Sequence, residues 1–146
     1  MRTPSLLNTA PTWLINQASL HATRIVNDRI GAMGAHRYQY RLLAALAEYG
    51  DSSQAELSRG TMVDRSDVVA ALNDLERDGF VKRSPDPGDS RRNLVKITAR
   101  GRRRLRDLEK SVAACQEELL APLSAAERDR LVALLGRVVQ HHAASS

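Results

Sequence analysis

Two adjacent arginines, Arg91 and Arg92, have the most readily interpreted chemistry in this chain. They follow a turn-rich segment, residues 84–90, that contains two prolines, a glycine and two aspartates. Guanidinium groups at such a tip can bind phosphate oxygens or enter a narrow minor groove, where negative potential is concentrated. A solvated arginine pair is the simpler alternative, and the neighbouring segments decide between the two.

The segment before this loop is predicted to be a helix from about residue 65 to residue 77. Asp64 lies at the expected cap, and Asp67, three residues later, could reach back to complete an approximate capping box. Gly79 suits the left-handed position that ends a helix. One stripe of the helix is apolar, which indicates a face packed on a core: Val68, Leu72 and Leu75.

The opposite face of this helix is short and polar. It consists of Ser66, Ala70, Asn73 and Arg77, with Arg65 at its start. A helix in a DNA major groove must approach base edges closely, which favours small residues. Asn73 could bond adenine through both amide atoms, and Ala70 could contact a thymine methyl group. Asp67 could accept from cytosine, although capping is the favoured role, and an exposed face without function is the alternative.

A shorter helix, residues 54–59, is predicted just before, with a turn at 60–63. Ser53 could cap it, and Ser53 and Gln54 at its N-terminus are candidate phosphate contacts. After the helix of residues 65–77, strands are predicted at 80–83 and 93–98, where Val95 and Ile97 alternate toward one face. A helix-turn-helix followed by a basic hairpin is a winged helix.

The central part of the sequence resembles the MarR family of bacterial transcription regulators. The resemblance rests on the runs DRSDVVAALNDLERDGFVKR, DPGDSRRNLVKIT and ARG. The wing pattern of that family is matched at Asp86, Pro87, Asp89, Arg91, Val95, Thr98 and Gly101. The chain departs from the pattern at Ser90, where the family usually has its first arginine. The resemblance implies a DNA-binding homodimer whose wing includes Asp89, Arg91 and Arg92.

Positive charge is concentrated in one segment. Residues 80–106 contain ten Lys/Arg and two Asp/Glu, a net charge of +8, whereas residues 1–79 carry −1 and residues 107–146 carry −2. The excess therefore lies in the hairpin and the start of the next helix, as expected for a surface that contacts the phosphate backbone. A solvated charge run is the alternative.

Amphipathic helices flank this region and predict a dimer. The N-terminal eleven residues are expected to be loose, and helices are predicted at 12–30, 38–49, 100–121 and 125–140, with Thr98 and a Ser124–Glu127 capping box at two N-termini. We expect a single domain, 1–146, that is mostly α with a small β-hairpin wing. Its winged helix-turn-helix region is 38–98, and helices at 12–30 and 100–142 are expected to dimerise because their apolar faces exceed what one compact unit needs.

One face of the first helix carries an aromatic, a histidine and an arginine, which would suit an anionic aromatic ligand. The candidate ligand-binding residues on this face are Trp13, Gln17, His21 and Arg24, and Tyr38 at the start of the next helix could close the pocket. The family often binds small phenolic or carboxylate ligands between the dimer helices and the winged domain. A solvated face or hydrogen bonds across the dimer would explain the same residues.

Several function classes lack a motif. There is no nucleophile elbow, phosphate loop, paired catalytic carboxylate or HExxH sequence, so we expect neither an enzyme nor a metal site nor a cofactor. Cys115, the only cysteine, lies on an apolar seam and is more consistent with an inert thiol than with a redox sensor. No stretch approaches the length of a membrane span, and nothing resembles a signal peptide, so a cytoplasmic protein is expected.

The sequence therefore predicts a homodimeric regulator that binds a pseudo-palindromic site in double-stranded DNA. Repression released by a small aromatic or anionic effector is the favoured activity. A non-specific DNA-architectural protein and a redox-sensing regulator through Cys115 are the alternatives. The architectural class is disfavoured because the basic segment lacks the wedge or stacking aromatics that such proteins use.

Overall fold

The computed structural model describes residues 2–145, which form a mostly helical fold with one three-stranded sheet. The helices are α1 (Ser5–Asn8), α2 (Pro11–Gly31), α3 (Arg37–Tyr49), α4 (Gln54–Thr61), α5 (Arg65–Arg77), α6 (Ala99–Leu119) and α7 (Ala125–Ala143). The strands are β1 (Ser52–Ser53), β2 (Val81–Asp86) and β3 (Asp89–Ile97). This confirms the predicted fold class. The prediction that residues 1–11 lack regular structure is wrong for Ser5–Asn8, which form α1. Residue 1 lies outside the described residues.

The helix-turn-helix consists of α4 and α5, and both pack on α3. Met62 ends α4 in the left-handed conformation, with φ of 55°, and reverses the chain into α5. The core between these helices and the sheet consists of apolar side chains, most of them fully buried: Leu42, Leu43, Leu46, Leu57, Val63, Val68, Leu72, Leu75, Val81 and Val95. The apolar stripe predicted for α5 is therefore the face that packs on the core.

The sequence predicted the C-terminus of α5 correctly and the cap at its N-terminus incorrectly. At the C-terminus Gly79 has φ of 79°, and the Phe80 amide donates to the Leu75 carbonyl at 2.9 Å, as predicted for a left-handed stop. At the N-terminus the Asp64 side chain makes no cap hydrogen bond, so the predicted capping box is wrong. An aspartate at the third helical position is one methylene shorter than the glutamate of a usual capping box.

The wing is an antiparallel hairpin that extends further than predicted. Val81 pairs with Ile97 and Arg83 with Val95, and an irregularity in register occurs between Pro85 and Asp86. The sheet order is β1-β3-β2, so β2 is an edge strand and can include a proline without losing a ladder hydrogen bond. Much of the segment predicted as loop is therefore strand.

The two long flanking helices form a second layer. α2 packs along α6, and the Arg29 guanidinium lies 2.8 Å from Glu118 between them. Thr98 caps α6 by accepting from the Gly101 amide at 3.0 Å, and Ser124 and Glu127 form the capping box of α7, both as predicted. No residue of α7 is buried, although the helix carries an apolar stripe.

Arg128 makes three of the bonds at the corner between α6 and α7. The Nε atom of Arg128 donates to the carbonyls of Leu120 and Leu123, at 3.2 and 3.1 Å, and its Nη1 lies 2.7 Å from Glu117. The Leu120 carbonyl also accepts from the Leu123 amide at 2.9 Å, so backbone and side-chain bonds converge on this turn. None of the described helices is long and apolar enough to cross a membrane.

Candidate nucleic-acid interface

A basic cleft lies where the start of α4, the start of α5 and the wing meet. Its volume is about 400 Å³, and it is lined by Ser53, Gln54, Ala55, Arg65, Arg91, Arg92 and Asn93. Three arginines from two different elements thus surround the N-terminal end of α4. Helix N-termini and guanidinium groups both favour an anion, so the cleft is suited to backbone phosphate. Five residues proposed from sequence as DNA contacts are brought together here.

Ser53 has a structural role in this cleft. Only 5% of its surface is exposed, and both its amide and its hydroxyl donate to the Glu56 carboxylate, at 2.7 and 2.9 Å. These bonds from Ser53 lower the pKa of Glu56, and Arg92 contributes from 3.8 Å. The expectation that Ser53 contacts phosphate directly is therefore corrected: pairing of β1 with β3 buries it, and it caps α4.

The wing tip positions Arg91 through its backbone. The Asp89 carboxylate accepts a hydrogen bond from the Arg91 amide at 3.0 Å, and Asp86 accepts from the Gly88 amide at 2.8 Å. Both bonds are short-range turn contacts, which explains the two aspartates in this segment. Asp89 therefore shapes the tip, while the side chains of Arg91 and Arg92 are exposed.

The small, polar face of α5 is exposed, as the sequence predicted. Ser66, Ala70, Asn73 and Arg77 point away from the core. Arg77 is bonded to Asp78 at 3.4 Å and to Asp74 at 3.0 Å, and these contacts raise its pKa. Two neighbouring carboxylates therefore offset its charge, so Arg77 is a weaker phosphate ligand than the arginines of the cleft.

A residue that sequence reasoning missed, Arg83 on β2, connects the wing to this face. Its Nη2 donates to Oδ1 of Asn73 at 2.5 Å, and its backbone amide donates to Oε2 of Glu76 at 3.1 Å. Its Nε lies 3.5 Å from the same carboxylate and is buried without a hydrogen-bond partner among the described residues. Alternation along β2 places Arg83 on the face of Val81, which packs on α5, and that signal could have identified it.

Asp67 lies on the other side of α5 and is half-buried. It lines a second cavity of about 390 Å³ with Ala70 and Ala71 of the same helix and with Asn27, Ala35, His36, Arg37 and Tyr38. The favoured role of Asp67 as a cap is wrong, as the missing capping box showed, and the cavity lies away from the wing. Ala70 borders both the exposed face and this cavity.

The proposed ligand residues are divided between two places. Trp13 and Gln17 are half-buried on α2, and His21 and Arg24 are exposed further along it. Tyr38 lies instead in the second cavity, where its hydroxyl accepts from Arg37 at 3.0 Å and its ring lies 4.7 Å from that guanidinium. Trp13 precedes Asn27 by fourteen residues of helix, about 21 Å. The structure therefore does not bring Tyr38 together with Trp13.

Part of the basic segment is structural. The guanidinium groups of Arg100 and Arg104 lie 5.2 and 5.5 Å from the centre of the Phe80 ring. Arg104 also donates to the Met33 carbonyl at 2.5 Å. Some of the charge at the start of α6 therefore stabilises the junction between the wing and α6. Within residues 2–145, no cluster of His, Cys, Asp or Glu could hold a metal ion.

The sequence is similar to those of known transcription regulators. The model of the MarR family matches residues 34–92. The uncharacterized HTH-type transcriptional regulator YdgJ of Bacillus subtilis is 33% identical over 124 residues, which are 82% of this chain and 76% of YdgJ. The HTH-type transcriptional repressor NicR of Pseudomonas putida is 34% identical over 101 residues, 69% of this chain and 64% of NicR.

Solved structures extend the similarity to nearly the whole fold. A mutant of MarR from E. coli, complexed with operator DNA, superposes with a TM-score of 0.78 at 25% identity, covering 93% of this chain and 99% of that one. The PcaV transcriptional regulator from Streptomyces coelicolor, in complex with its natural ligand, gives 0.79 at 28% identity, with coverage of 96% and 98%.

Proposed function

The chain belongs to the MarR family of transcription regulators, and we propose that it acts as a homodimer on a pseudo-palindromic site in double-stranded DNA. Its relatives and its fold are those of DNA-binding regulators rather than of enzymes. The proposed activity is repression that a small aromatic or anionic effector relieves. NicR, a named repressor, supports this sign of regulation.

The basic cleft beside α5 is the observation that carries the DNA proposal. Arg65, Arg91 and Arg92 line it, and the exposed face of α5 continues from it. In this arrangement α5 enters the major groove, the wing reaches the adjacent minor groove, and Gln54 contacts phosphate. Contacts of the wing and of α4 fix the register, and side chains of α5 read bases.

The apolar surface of the flanking helices supports the dimer. A groove of about 520 Å³ between α2, α6 and α7 is lined almost entirely by apolar side chains: Leu14, Ile15, Ala18, Leu119, Leu120, Leu131, Val132 and Leu135. Beyond it Val138 and Val139 of α7 are also exposed. Contiguous apolar surface of this kind marks an interface. A second copy would cover it and would place two α5 helices about 34 Å apart, one DNA turn.

The cavity beside Tyr38 is the proposed effector site, in place of the stripe predicted on α2. Arg37 donates to the neutral side chains of Asn27 and Tyr38 and forms no ion pair among the described residues, so its charge is available to an anion at the end of the cavity opposite the Asp67 helix, and Tyr38 adds an aromatic face. Three cavity residues, Asp67, Ala70 and Ala71, belong to α5 itself. An effector there would differ in affinity between DNA-bound and free positions of α5, which is what coupling requires. The ligand-bound structure of PcaV supports an effector in a relative with the same fold.

Selection of bound sequences from random duplex DNA tests the proposal. A palindromic motif with half-sites about ten base pairs apart is the expected result. Enrichment of a single unpaired half-site would contradict the dimer, and equal affinity for all duplexes would favour the architectural alternative. Transcription from a promoter that contains the selected site then tests the sign of regulation.

A further inference from the structure

The contact between the wing and Asn73 determines which atom of the Asn73 amide remains to contact DNA. The partner atom is Nη2 of Arg83, and a guanidinium only donates hydrogen bonds. The atom of Asn73 that faces it must therefore be the acceptor, Oδ1. This assignment follows from arginine chemistry and needs no choice between amide orientations.

Arg83 is largely buried in this position and lies between Asn73 and Glu76. Its side chain is only 19% exposed, its backbone amide is bonded to Glu76, and Nε faces the same carboxylate. Asn73 and Glu76 lie one turn apart on the edge of α5 that faces the wing, so Arg83 contacts both. The Asn73 amide is thereby fixed with its oxygen toward the wing, while the residue as a whole is exposed.

An amide fixed in this way offers DNA its Nδ2 hydrogens. Two-point recognition of adenine needs Oδ1 to accept from the N6 amino group while Nδ2 donates to N7. Here one of the two lone pairs of Oδ1 already accepts from Arg83, and the charge of that guanidinium repels the positive edge of an amino group approaching the other lone pair. A donor alone suits an acceptor in the major groove, which guanine provides at N7 and O6 and thymine at O4.

We propose that Arg83 is a specificity-determining residue: by engaging Oδ1, it makes Asn73 a donor-only reader that recognises an acceptor on a base rather than the amino edge of adenine. This proposal rests on the proposed function, since it assumes that α5 reads bases. Arg83 acts through Asn73 and is a positioning residue. It replaces the two-point adenine contact that the sequence suggested for Asn73.

The test begins by finding the base pair whose preference depends on Asn73, by selection with the wild type and with Asn73→Asp. Aspartate keeps the acceptor for Arg83 and removes both donors, so the fold and wing contact should persist. Discrimination at that base pair should fall by about 2- to 12-fold, the equivalent of about 0.5–1.5 kcal/mol for one hydrogen bond. Lys82→Ala is the control for charge. Lys82 is exposed on the other side of β2, and its replacement lowers the net charge by one, as Asn73→Asp does.

Base analogues then identify the atom that Asn73 reads. If the preferred base is guanine, the 7-deaza or 6-deoxo analogue should weaken the wild type and have no further effect on Asn73→Asp. If it is adenine, removal of the 6-amino group should be neutral, because only N7 would be contacted. A loss on removing that amino group, seen in the wild type and absent from Asn73→Asp, would overturn the proposal.

Arg83 variants test the positioning role. Arg83→Ala should release Oδ1 and shift the preference at this base pair toward adenine, whereas Arg83→Lys, which keeps a cationic donor, should retain most of the original preference. An unchanged preference in a folded Arg83→Ala protein would overturn the role of Arg83. If Arg83→Ala does not fold, Arg83→Lys and Asn73→Asp still decide the matter. Absence of any sequence preference would refute the proposed function itself, whereas a motif with no position dependent on Asn73 would refute only this inference.

Discussion

Gly101 on α6 lies directly against the backbone of Phe80, the residue that leads into the wing. A Cβ atom at position 101 would collide with the Phe80 carbonyl oxygen and lie 2.8 Å from Cγ1 of Ile97. The Thr98 amide donates to that same carbonyl at 3.1 Å, and the Thr98 hydroxyl donates to the Gly79 carbonyl at 2.7 Å. The glycine that ends the wing pattern therefore permits α6 to dock on the base of the wing.

Replacement of Gly101 by alanine should destabilise the protein despite the better helix propensity of alanine. The methyl group would meet backbone rather than a movable side chain, so α6 or the wing must shift, at a cost of about 1–3 kcal/mol. Thermal unfolding measures the effect. Gly60→Ala is the control, because a Cβ there meets nothing within 4 Å in the described structure and should be neutral or stabilising. Equal unfolding temperatures for the two variants would contradict the close approach.

Features set by local sequence were the ones predicted well. Gly79, the Thr98 cap and the Ser124–Glu127 capping box each depend on residues within a few positions of one another, and the structure contains all three. The apolar stripe of α5 was likewise predicted from its period. The Asp64 and Asp67 pair failed: Asp64 makes no cap hydrogen bond, and Asp67 has a shorter side chain than the glutamate that usually completes a capping box.

Features set by contacts distant in sequence were missed. Ser53 was predicted to contact phosphate as well as to cap α4, because the pairing with Leu94 on β3 that buries it joins segments about forty residues apart. The bond between Arg83 and Asn73 depends on how the hairpin twists against α5. Tyr38 was expected to close a pocket beside the stripe that contains Trp13, although α2 is long enough to keep the two residues apart. Periodicity assigned faces to each helix but could not say which faces meet.

The exposed stripe of α7 should be required for assembly. Leu135 is 40% exposed in a single chain and lines the apolar groove, so aspartate there would be buried without a partner in a dimer. The cost should be several kcal/mol for each charge, and the charge occurs in both subunits. Sedimentation should show a monomer that binds DNA weakly. Ala133→Asp, on the opposite side of α7, should remain dimeric, and a dimeric Leu135→Asp protein would exclude this face.

Effector binding should depend on Arg37 rather than on Arg24. Arg37 lines the cavity beside Tyr38, and loss of a charge-assisted hydrogen bond costs about 1.5–3 kcal/mol, so Arg37→Ala should weaken a bound benzoate or salicylate probe about 10- to 150-fold. Calorimetry measures the affinity, and DNA should lower it by the factor by which the probe lowers DNA affinity. If Arg24→Ala or His21→Ala weakens binding of the probe and Arg37→Ala does not, the effector site is the predicted face of α2 instead.

Cys115 should not act as a redox switch. Its thiol is 2% exposed beside the Ile25 carbonyl, 3.8 Å from Sγ, and burial raises its pKa, so the reactive thiolate is scarce at neutral pH. Cys115→Ser should cost about 1 kcal/mol of stability, the size of one altered hydrogen bond. DNA binding by both forms should be unaffected by mild peroxide. Peroxide-dependent release of the wild type, abolished in Cys115→Ser, would instead support the redox-sensing alternative.

The arginines of the wing should affect DNA binding differently from Asn73. Arg91 is exposed at the tip and held there through its amide by Asp89, so its side chain is free to contact phosphate or displace counterions from the minor groove. Arg91→Ala should therefore weaken binding to specific and scrambled duplexes alike. The salt slope should fall by about 1 per contact, hence about 2 per dimer.

Asn73→Ala provides the contrast, because it removes a base contact without changing charge. It should cost about 0.5–1.5 kcal/mol per half-site on the selected sequence, little on scrambled DNA, and leave the salt slope unchanged. Lys110→Ala, an exposed charge on α6 away from the cleft, controls for net charge and should preserve both affinity and slope. Titrations of the three variants on both duplexes at several salt concentrations separate these effects. A phosphate that loses its contact with Arg91 must bind salt cations again, which changes the salt slope. An unaltered affinity and salt slope for Arg91→Ala would therefore mean that the wing does not touch DNA.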